Sequence, residues 1–254
     1  MICARCRHFA VVPGGTLCAG CSAASASAAP PYPGVPSLRL RSPVGLGRAA
    51  VAMLLLVVAG DLFAIGADVF MYDVSGDLMN GSVGGDVMRR ADDADRLYAV
   101  AGVVQVLTLL ASCVVFLCWF HRVRVNADVF DPSAHSKSRG WAIGAWFTPV
   151  VNLWYPRRIT ADIWDASSPA DRSGSHRLVD VWWALWLIGL LVDRVAATAY
   201  NRADTAEELH RAGGQMMLSD ALDIVAAVLA VLVVLRLTRM QHEKALRGPA
   251  PATA

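Results

Sequence analysis

Charged residues are scarce in this sequence, and their scarcity excludes an ordinary soluble domain. They make up 17% of the 254 residues, whereas 56% are hydrophobic; soluble domains average about 25% charged residues. The net charge of +2 is small and the basic residues are dispersed, which argues against nucleic acid as a partner. The opening segment also lacks the pattern of a secretory signal peptide, so we expect the N-terminus to be retained.

Catalytic motifs are missing as well. The six histidines are scattered, with no H-E-x-x-H of a metalloprotease, no G-x-S-x-G of a serine nucleophile and no phosphate-binding glycine loop with its lysine. An acidic loop expected at residues 71–96 contains turn glycines but lacks the regular acid spacing of a calcium site. We therefore expect a protein that is not an enzyme.

Long apolar runs predict membrane-spanning helices, because about 20 apolar residues cross a hydrocarbon core roughly 30 Å thick. Four spans are expected, at residues 48–70, 97–120, 181–200 and 216–235. The third must include Asp193 and Arg194 to reach spanning length, and the fourth includes Asp220 and Asp223. The predicted fold is an all-α membrane protein with four transmembrane helices, and the lipid bilayer is its first partner.

Composition divides the chain into four predicted regions. They are a cysteine module at residues 1–21, a Pro, Ala and Ser linker at 22–47, a transmembrane domain at 48–238 and a tail at 239–254. The linker cannot bury a core and is expected to be extended.

The charges of the loops predict the orientation. The N-terminal segment through Arg48, the central loop at residues 121–180 and the residues after the fourth span, from Arg236, hold seventeen of the 23 basic residues but only seven of the 21 acids. Cytoplasmic segments carry excess Arg and Lys, so we expect a multi-pass protein of the cell membrane with both termini in the cytoplasm. The eight tryptophans fall near the predicted inner leaflet, which indicates one tryptophan-rich platform there.

The central loop contains an uncharged segment, residues 141–156, that is too short to span. Pro149 and Asn152 interrupt it, and cations flank both ends, which places both ends on one membrane face. We predict that the segment is re-entrant or lies in the interface. Pro156 suits the first turn of a short helix in which Ile159, Ile163 and Trp164 share a face.

The string W-F-x-P-x-x-N-L-W-x-P, followed by I-W-x-A-S, resembles an uncharacterised bacterial membrane family, domain of unknown function 4328. The motif residues are Trp146, Phe147, Pro149, Asn152, Leu153, Trp154, Pro156, Trp164 and Ser167. The resemblance covers roughly residues 48–238. It implies four helices with this motif between the second and third, sometimes after a zinc-ribbon-like segment, and it brings no known activity.

Two C-x-x-C pairs, Cys3 with Cys6 and Cys18 with Cys21, resemble a minimal zinc ribbon with a short gap of eleven residues. Four thiolates close a tetrahedral zinc site without an open position for catalysis, and the cytoplasm keeps thiols reduced. We therefore predict structural zinc. A redox dithiol pair and an unstructured segment are the alternatives, and His8 offers a substitute ligand.

Polar residues recur at one depth of the predicted spans. Asp61, Gln105, Asp193 and Asp223 lie seven to nine residues from the predicted outer ends, a depth of roughly 10 Å. Charges there are costly and often functional, so a cation or proton site is one hypothesis. In the structural alternative, Arg194 pairs with Asp61 or Asp223 and holds the bundle together, or the groups line a wet vestibule.

Two functions follow from these features. In the first, the chain is a scaffold or sensor whose cysteine knob contacts a cytoplasmic protein. In the second, it is a small transporter or ion-binding protein that uses the acidic layer, and four narrow spans would then require a homo-oligomer.

Overall fold

The computed structural model describes residues 2–22, 40–82, 84–169 and 174–247. In these ranges the long elements are α1 (Val44–Met79), α2 (Gly85–Phe130), α3 (Trp141–Phe147), α4 (Tyr155–Ser167), α5 (Arg177–Asn201) and α6 (Ala206–Arg247). A 3-10 turn, Val151–Leu153, connects α3 to α4. No strand occurs in these ranges, so the all-α class is confirmed.

The chain divides into two compact units, Met1–Leu38 and Arg39–Ala254. The division falls within the predicted linker. Residues 23–39 of that linker and residues 248–254 of the predicted tail lie outside the described residues.

Three helices of the described chain, α1, α2 and α6, are long and apolar enough to cross a membrane. This finding supports the membrane class and corrects the expected number of such helices from four to three. The predicted third span lies in α5, which is not among them. The adjacent charges of Asp193 and Arg194 interrupt its apolar stretch.

The prediction of an acidic loop at residues 71–96 is wrong, because most of these residues are helical. α1 and α2 contain 36 and 46 residues, and the chain reverses between them around Gly81, whose φ of +79° suits glycine. Arg90 of α2 donates to Asp73 and Asp77 of α1, each at 2.5 Å. These ion pairs between α1 and α2 stabilise the parts of both helices that lie beyond the apolar runs and carry the acidic residues.

The long helices run alongside one another in alternating directions. Near the start of α1, a Cβ added at Gly47 would lie 2.6 Å from Thr238 Oγ1, near the end of α6. At the opposite ends of the same helices, Ser75 Oγ lies 3.2 Å from His210 Nδ1. α1 and α6 are therefore antiparallel.

The direction of α5 follows from two aromatic contacts with α2. Tyr200, near the end of α5, stacks on Tyr98 with ring centroids 4.5 Å apart. Trp182, near the start of α5, lies 6.3 Å from Phe116 further along α2. α5 therefore runs antiparallel to α2 from one end of the bundle towards the other.

The main hydrophobic core lies at one end of this bundle, which we call the tryptophan end. All six helices contribute to it, and seven of the eight tryptophans lie in it or against it: Trp119, Trp141, Trp146, Trp164, Trp182, Trp183 and Trp186. Ile159, Ile163 and Trp164 of α4 are all buried in it, and Pro156 lies in the first turn of that helix. The predicted helix, its buried face and the gathering of the tryptophans are confirmed.

A buried ion-pair cluster centred on Asp128 borders this core. Arg124, which is 3% exposed, donates to Asp128 and also to the Lys137 carbonyl at 2.7 Å. Arg139 donates to the other oxygen of Asp128. Burial opposes ionisation of this carboxyl, but the hydrogen bonds from Arg124 and Arg139 prevail and hold its pKa below the usual value. The cluster fixes residues 131–140 against the end of α2.

The segment that joins α3 to α4 is anchored at one side and exposed at the other. Trp146 packs edge-on against Trp183 at 5.8 Å, and Trp183 Nε1 donates to the Leu153 carbonyl at 2.9 Å. Phe147 and Val150 are 70% and 63% exposed. An exposed apolar edge beside a buried anchor suits contact with the membrane interface.

Replacing Trp183 with Phe tests this anchor. The Trp183→Phe protein loses the hydrogen bond to Leu153, and its free energy of unfolding should fall by about 1 kcal/mol. Amide hydrogen exchange at residues 151–153 should accelerate about fivefold. Trp154→Phe is the control, because that side chain is 48% exposed; equal acceleration in both variants would contradict the anchoring role.

Candidate functional site

The four cysteines of residues 2–22 sit on two backbone turns. The Cys3 amide donates to the Phe9 carbonyl at 2.9 Å, which folds the first C-x-x-C pair back on itself. The second pair opens a helical turn at residues 19–22, where the Ser22 amide donates to the Cys18 carbonyl at 2.9 Å. Both pairs therefore present sulfur atoms from tight turns, as zinc ribbons require.

The sulfur atoms of Cys3, Cys6, Cys18 and Cys21 all lie within 4.8 Å of one another. Cys6 Sγ and Cys18 Sγ are 3.7 Å apart, close to the edge of about 3.8 Å that Zn–S bonds near 2.3 Å give in a tetrahedron. None of these residues forms a disulfide. Among the described residues, no other group of His, Cys, Asp or Glu gathers three ligand atoms in this way. The donor set fits one tetrahedral metal ion.

The thiols of this cluster differ in how readily they ionise. Backbone amides of Cys6 and Cys18 lower the pKa of Cys3 to about 6, and those of His8 and Phe9 lower the pKa of Cys6. The side-chain contact with Cys18, together with burial, raises the pKa of Cys21 to about 12. Thiolates are the metal-binding form. The backbone turns therefore favour ionisation of Cys3 and Cys6, whereas the neighbouring sulfur atoms disfavour ionisation of Cys21.

This cysteine module has no apolar core of its own. Cys3 and Cys18 are its only buried residues among residues 2–22, whereas Ile2 and Phe9 are 70% and 68% exposed. His8 lies outside the sulfur cluster, and its Nδ1 bonds to the Cys6 carbonyl at 2.6 Å. The buried positions of residues 2–22 are therefore cysteines.

A second polar cluster lies between the long helices, and Gln105 is its centre. Gln105 Nε2 donates to Asp61 Oδ1 at 3.1 Å and to Asp220 Oδ1 at 3.0 Å. Asp223 lies close enough to repel Asp61 and Asp220. A Cβ added at Gly189 would lie 2.8 Å from Asp223 Oδ1, so this glycine lets α5 approach α6.

The structure changes the membership of the predicted layer. Asp61, Gln105 and Asp223 come together, whereas Asp193 and Arg194 are exposed. The predicted pairing of Arg194 with Asp61 or Asp223 is wrong, because Arg194 forms no ion pair with any described residue. Its position on α5 turns it outward.

Two carboxylates that the depth argument left out, Asp68 and Asp220, belong to the cluster. Asp220 accepts a hydrogen bond from Gln105 at 3.0 Å, and Asp68, which is 3% exposed, has one buried oxygen without a hydrogen-bond partner. Asp68 follows Asp61 by seven residues, nearly two helical turns, so the two share a face of α1. This seven-residue spacing is the sequence pattern that could have placed Asp68 beside Asp61.

The motif that carried the family resemblance builds the tryptophan end. Trp146 packs against the core and Pro156, Trp164 and Ser167 are buried, whereas Asn152 is half-buried. The other members, Phe147, Pro149, Leu153 and Trp154, are exposed. Ser167 Oγ donates to the Ile163 carbonyl at 2.6 Å and accepts from Gln241 at 3.2 Å. These contacts give the motif a structural role.

Comparison with protein families gives one match. The family described as Domain of unknown function (DUF4328) matches residues 86–239, more than half of the chain. The match covers α2 to α5 and most of α6, and it begins after the cysteine module and α1. No curated protein and no solved structure matches the chain.

Proposed function

We propose that this chain, which belongs to the DUF4328 family, is a non-enzymatic scaffold or sensor of the cell membrane. Its cysteine module binds structural zinc and presents Ile2 and Phe9 to a cytoplasmic protein partner. The observation that carries the proposal is the four-sulfur cluster in a module that exposes Ile2 and Phe9.

The chemistry of the donor set favours zinc. Four thiolates suit a tetrahedral, redox-inert ion, and four protein ligands leave no position for a substrate or a reactive water. The ion would supply folding energy to a module without a core. Exposed aromatic and aliphatic side chains on so small a module are typical anchors of a protein contact.

We place α5 in the membrane as a fourth crossing helix, with both termini in the cytoplasm. The support is its antiparallel course along α2, from Trp182 to Tyr200. The charges also support it: the tryptophan end carries Arg124, Arg139 and Arg157, whereas the hairpin at the other end carries Asp73 and Asp77. Excess basic charge is typical of the cytoplasmic side.

Crosslinking in native membranes tests the proposed contact. An Ile2→Ser/Phe9→Ser variant keeps all four cysteines, so it should retain zinc and yet lose at least about tenfold in crosslinked partner. A Leu246→Ser variant is the matched control, because Leu246 is 75% exposed in the other unit, and it should crosslink as the intact chain does. Undiminished crosslinking by the Ile2→Ser/Phe9→Ser chain would refute the contact.

A further inference from the structure

An exposed apolar edge lies at the tryptophan end, where the chain passes from α3 to α4. It consists of Phe147, Val150 and Leu153, which are 70%, 63% and 47% exposed. Val150 has a φ of +67°, which is disfavoured for a β-branched residue. Because this side chain is mostly exposed, its burial does not offset the strain, and strained residues of this kind are typical of contact sites. The edge therefore suits an apolar partner outside the bundle.

A contact with α2 gives the level of this edge along the bundle. Trp146, next to Phe147, packs edge-on against Phe116 of α2, with ring centroids 5.5 Å apart. Phe116 lies inside the apolar run of α2, a helix that is long and apolar enough to cross a membrane. The apolar edge therefore begins at a level that the hydrocarbon chains of lipids surround.

Two cations lie close to the apolar edge. Lys137 Nζ lies 4.4 Å from the ring centroid of Tyr155, which follows Leu153 by two residues. Arg158 is exposed in the first turn of α4, and its Nε donates to Ser136 Oγ at 3.1 Å. Because Ser136 directly precedes Lys137 in the chain, the two cations are neighbours in space.

Neither of these cations has an acidic partner in the described part of the chain. No carboxylate there forms an ion pair with Lys137 or Arg158. Asp162, one helical turn after Arg158, instead accepts from the Ser136 amide at 3.0 Å and from its hydroxyl at 2.7 Å. A pair of cations without a nearby counter-charge attracts an anionic partner.

The cations and the apolar edge lie at different levels of the membrane. The Lys137 carbonyl accepts from Arg124 of α2 at 2.7 Å, whereas the edge begins at the level of Phe116. Arg124 follows Phe116 by eight residues, which corresponds to about 12 Å of helix. Lipid headgroups lie just outside a hydrocarbon core roughly 30 Å thick. A phospholipid whose acyl chains contact the edge therefore brings its phosphate towards the cations.

We propose that the tryptophan end binds an anionic phospholipid, with the acyl chains against the apolar edge and the phosphate beside Lys137 and Arg158. Tyr155 lies between these parts, and aromatic rings favour the headgroup level. The surface selects lipids by charge, because a zwitterionic headgroup carries a cation of its own. Lipid binding of this kind requires only that α2 crosses the membrane, and it does not depend on zinc in the cysteine module.

Native mass spectrometry of the full chain in detergent, titrated with phosphatidylglycerol or phosphatidylcholine, tests this surface. The intact chain should bind phosphatidylglycerol at least about tenfold more tightly. Lys137→Gln/Arg158→Gln should weaken that binding about 25-fold, since each cation near a phosphate contributes about fivefold. Lys137→Arg/Arg158→Lys keeps both charges and should bind as the intact chain does. Phe147→Ser/Val150→Ser should weaken the binding of both lipids, because their acyl chains lose the apolar edge.

Arg96→Gln/Arg202→Gln is the matched control, because it removes two positive charges from exposed residues at the other end of the bundle. It should leave the affinity unchanged, and an equal loss would mean general charge attraction and overturn the site. Equal affinity of the intact chain for the two lipids would also overturn it. Displacement of the lipid by inorganic phosphate, or indifference to Phe147→Ser/Val150→Ser, would assign the cations to a soluble phosphate. An unchanged elution volume checks that each variant is folded.

Discussion

Cys3→Ser/Cys18→Ser protein is expected to bind no zinc and to lose the folded form of residues 2–22, whereas the intact chain should hold one zinc ion per molecule. These two cysteines are the only buried residues within the described stretch 2–22, so their replacement leaves no core there. Structural zinc contributes about 10 to 16 kcal/mol in small zinc-binding peptides. Elemental analysis of purified protein gives the zinc content, and accelerated tryptic cleavage after Arg5 and Arg7 reports unfolding.

The chain supplies its own control for this experiment. Cys113 and Cys118 lie on α2 and are exposed, so Cys113→Ser/Cys118→Ser protein should keep one zinc ion and its resistance to trypsin. Intact protein with no zinc and four readily alkylated N-terminal thiols would contradict the metal site. Equal loss of zinc in both double variants would point to general misfolding.

Trp119→Ala is expected to lower the free energy of unfolding by about 3 to 5 kcal/mol, the cost of emptying a buried aromatic site. Trp119 is 0% exposed in the main core, and its Nε1 donates to Thr238 Oγ1 at 3.0 Å. The substitution therefore removes packing between α2 and α6 together with a buried hydrogen bond. Denaturant titration in detergent micelles, followed by far-UV circular dichroism, measures the change.

Two further substitutions distinguish the loss of core packing at Trp119 from a general loss of stability on replacing any tryptophan. Trp119→Phe keeps an aromatic ring and should lose less than half as much stability. Trp154→Ala changes a tryptophan that is 48% exposed and should stay within about 0.5 kcal/mol of the intact chain. Similar losses at Trp119 and Trp154 would contradict the placement of the core.

Apolar run length predicted α1, α2 and α6 but not where they end. Hydrophobicity marks the segment that prefers lipid, whereas helix ends depend on contacts between helices, such as those of Arg90 with Asp73 and Asp77. Pro156 in the first turn of α4 was a sufficient local signal for that short helix. Val150 was not predictable, because its φ of +67° is disfavoured for a β-branched residue.

The spacing of the C-x-x-C pairs was enough to identify four cysteines that the structure gathers, since each pair is local and only one gap had to close. The acidic cluster was harder. Depth along a helix can be counted from sequence, but the side a residue faces depends on helix rotation. Arg194 was expected inside and lies outside, whereas Asp68 and Asp220 were not placed in the layer, although Asp68 is buried and Asp220 accepts from Gln105.

The continuous course of α6 has a mechanical consequence. Its 42 residues carry Asp220 on the same rod as Gln241, which donates to the Val123 carbonyl at 2.8 Å in the tryptophan end. At 1.5 Å per residue the rod is about 63 Å long, so a tilt of about 5° around its midpoint moves each tip by about 3 Å. Because α6 is unbroken over its 42 residues, a tilt that moves Asp220 also moves Gln241 in the tryptophan end.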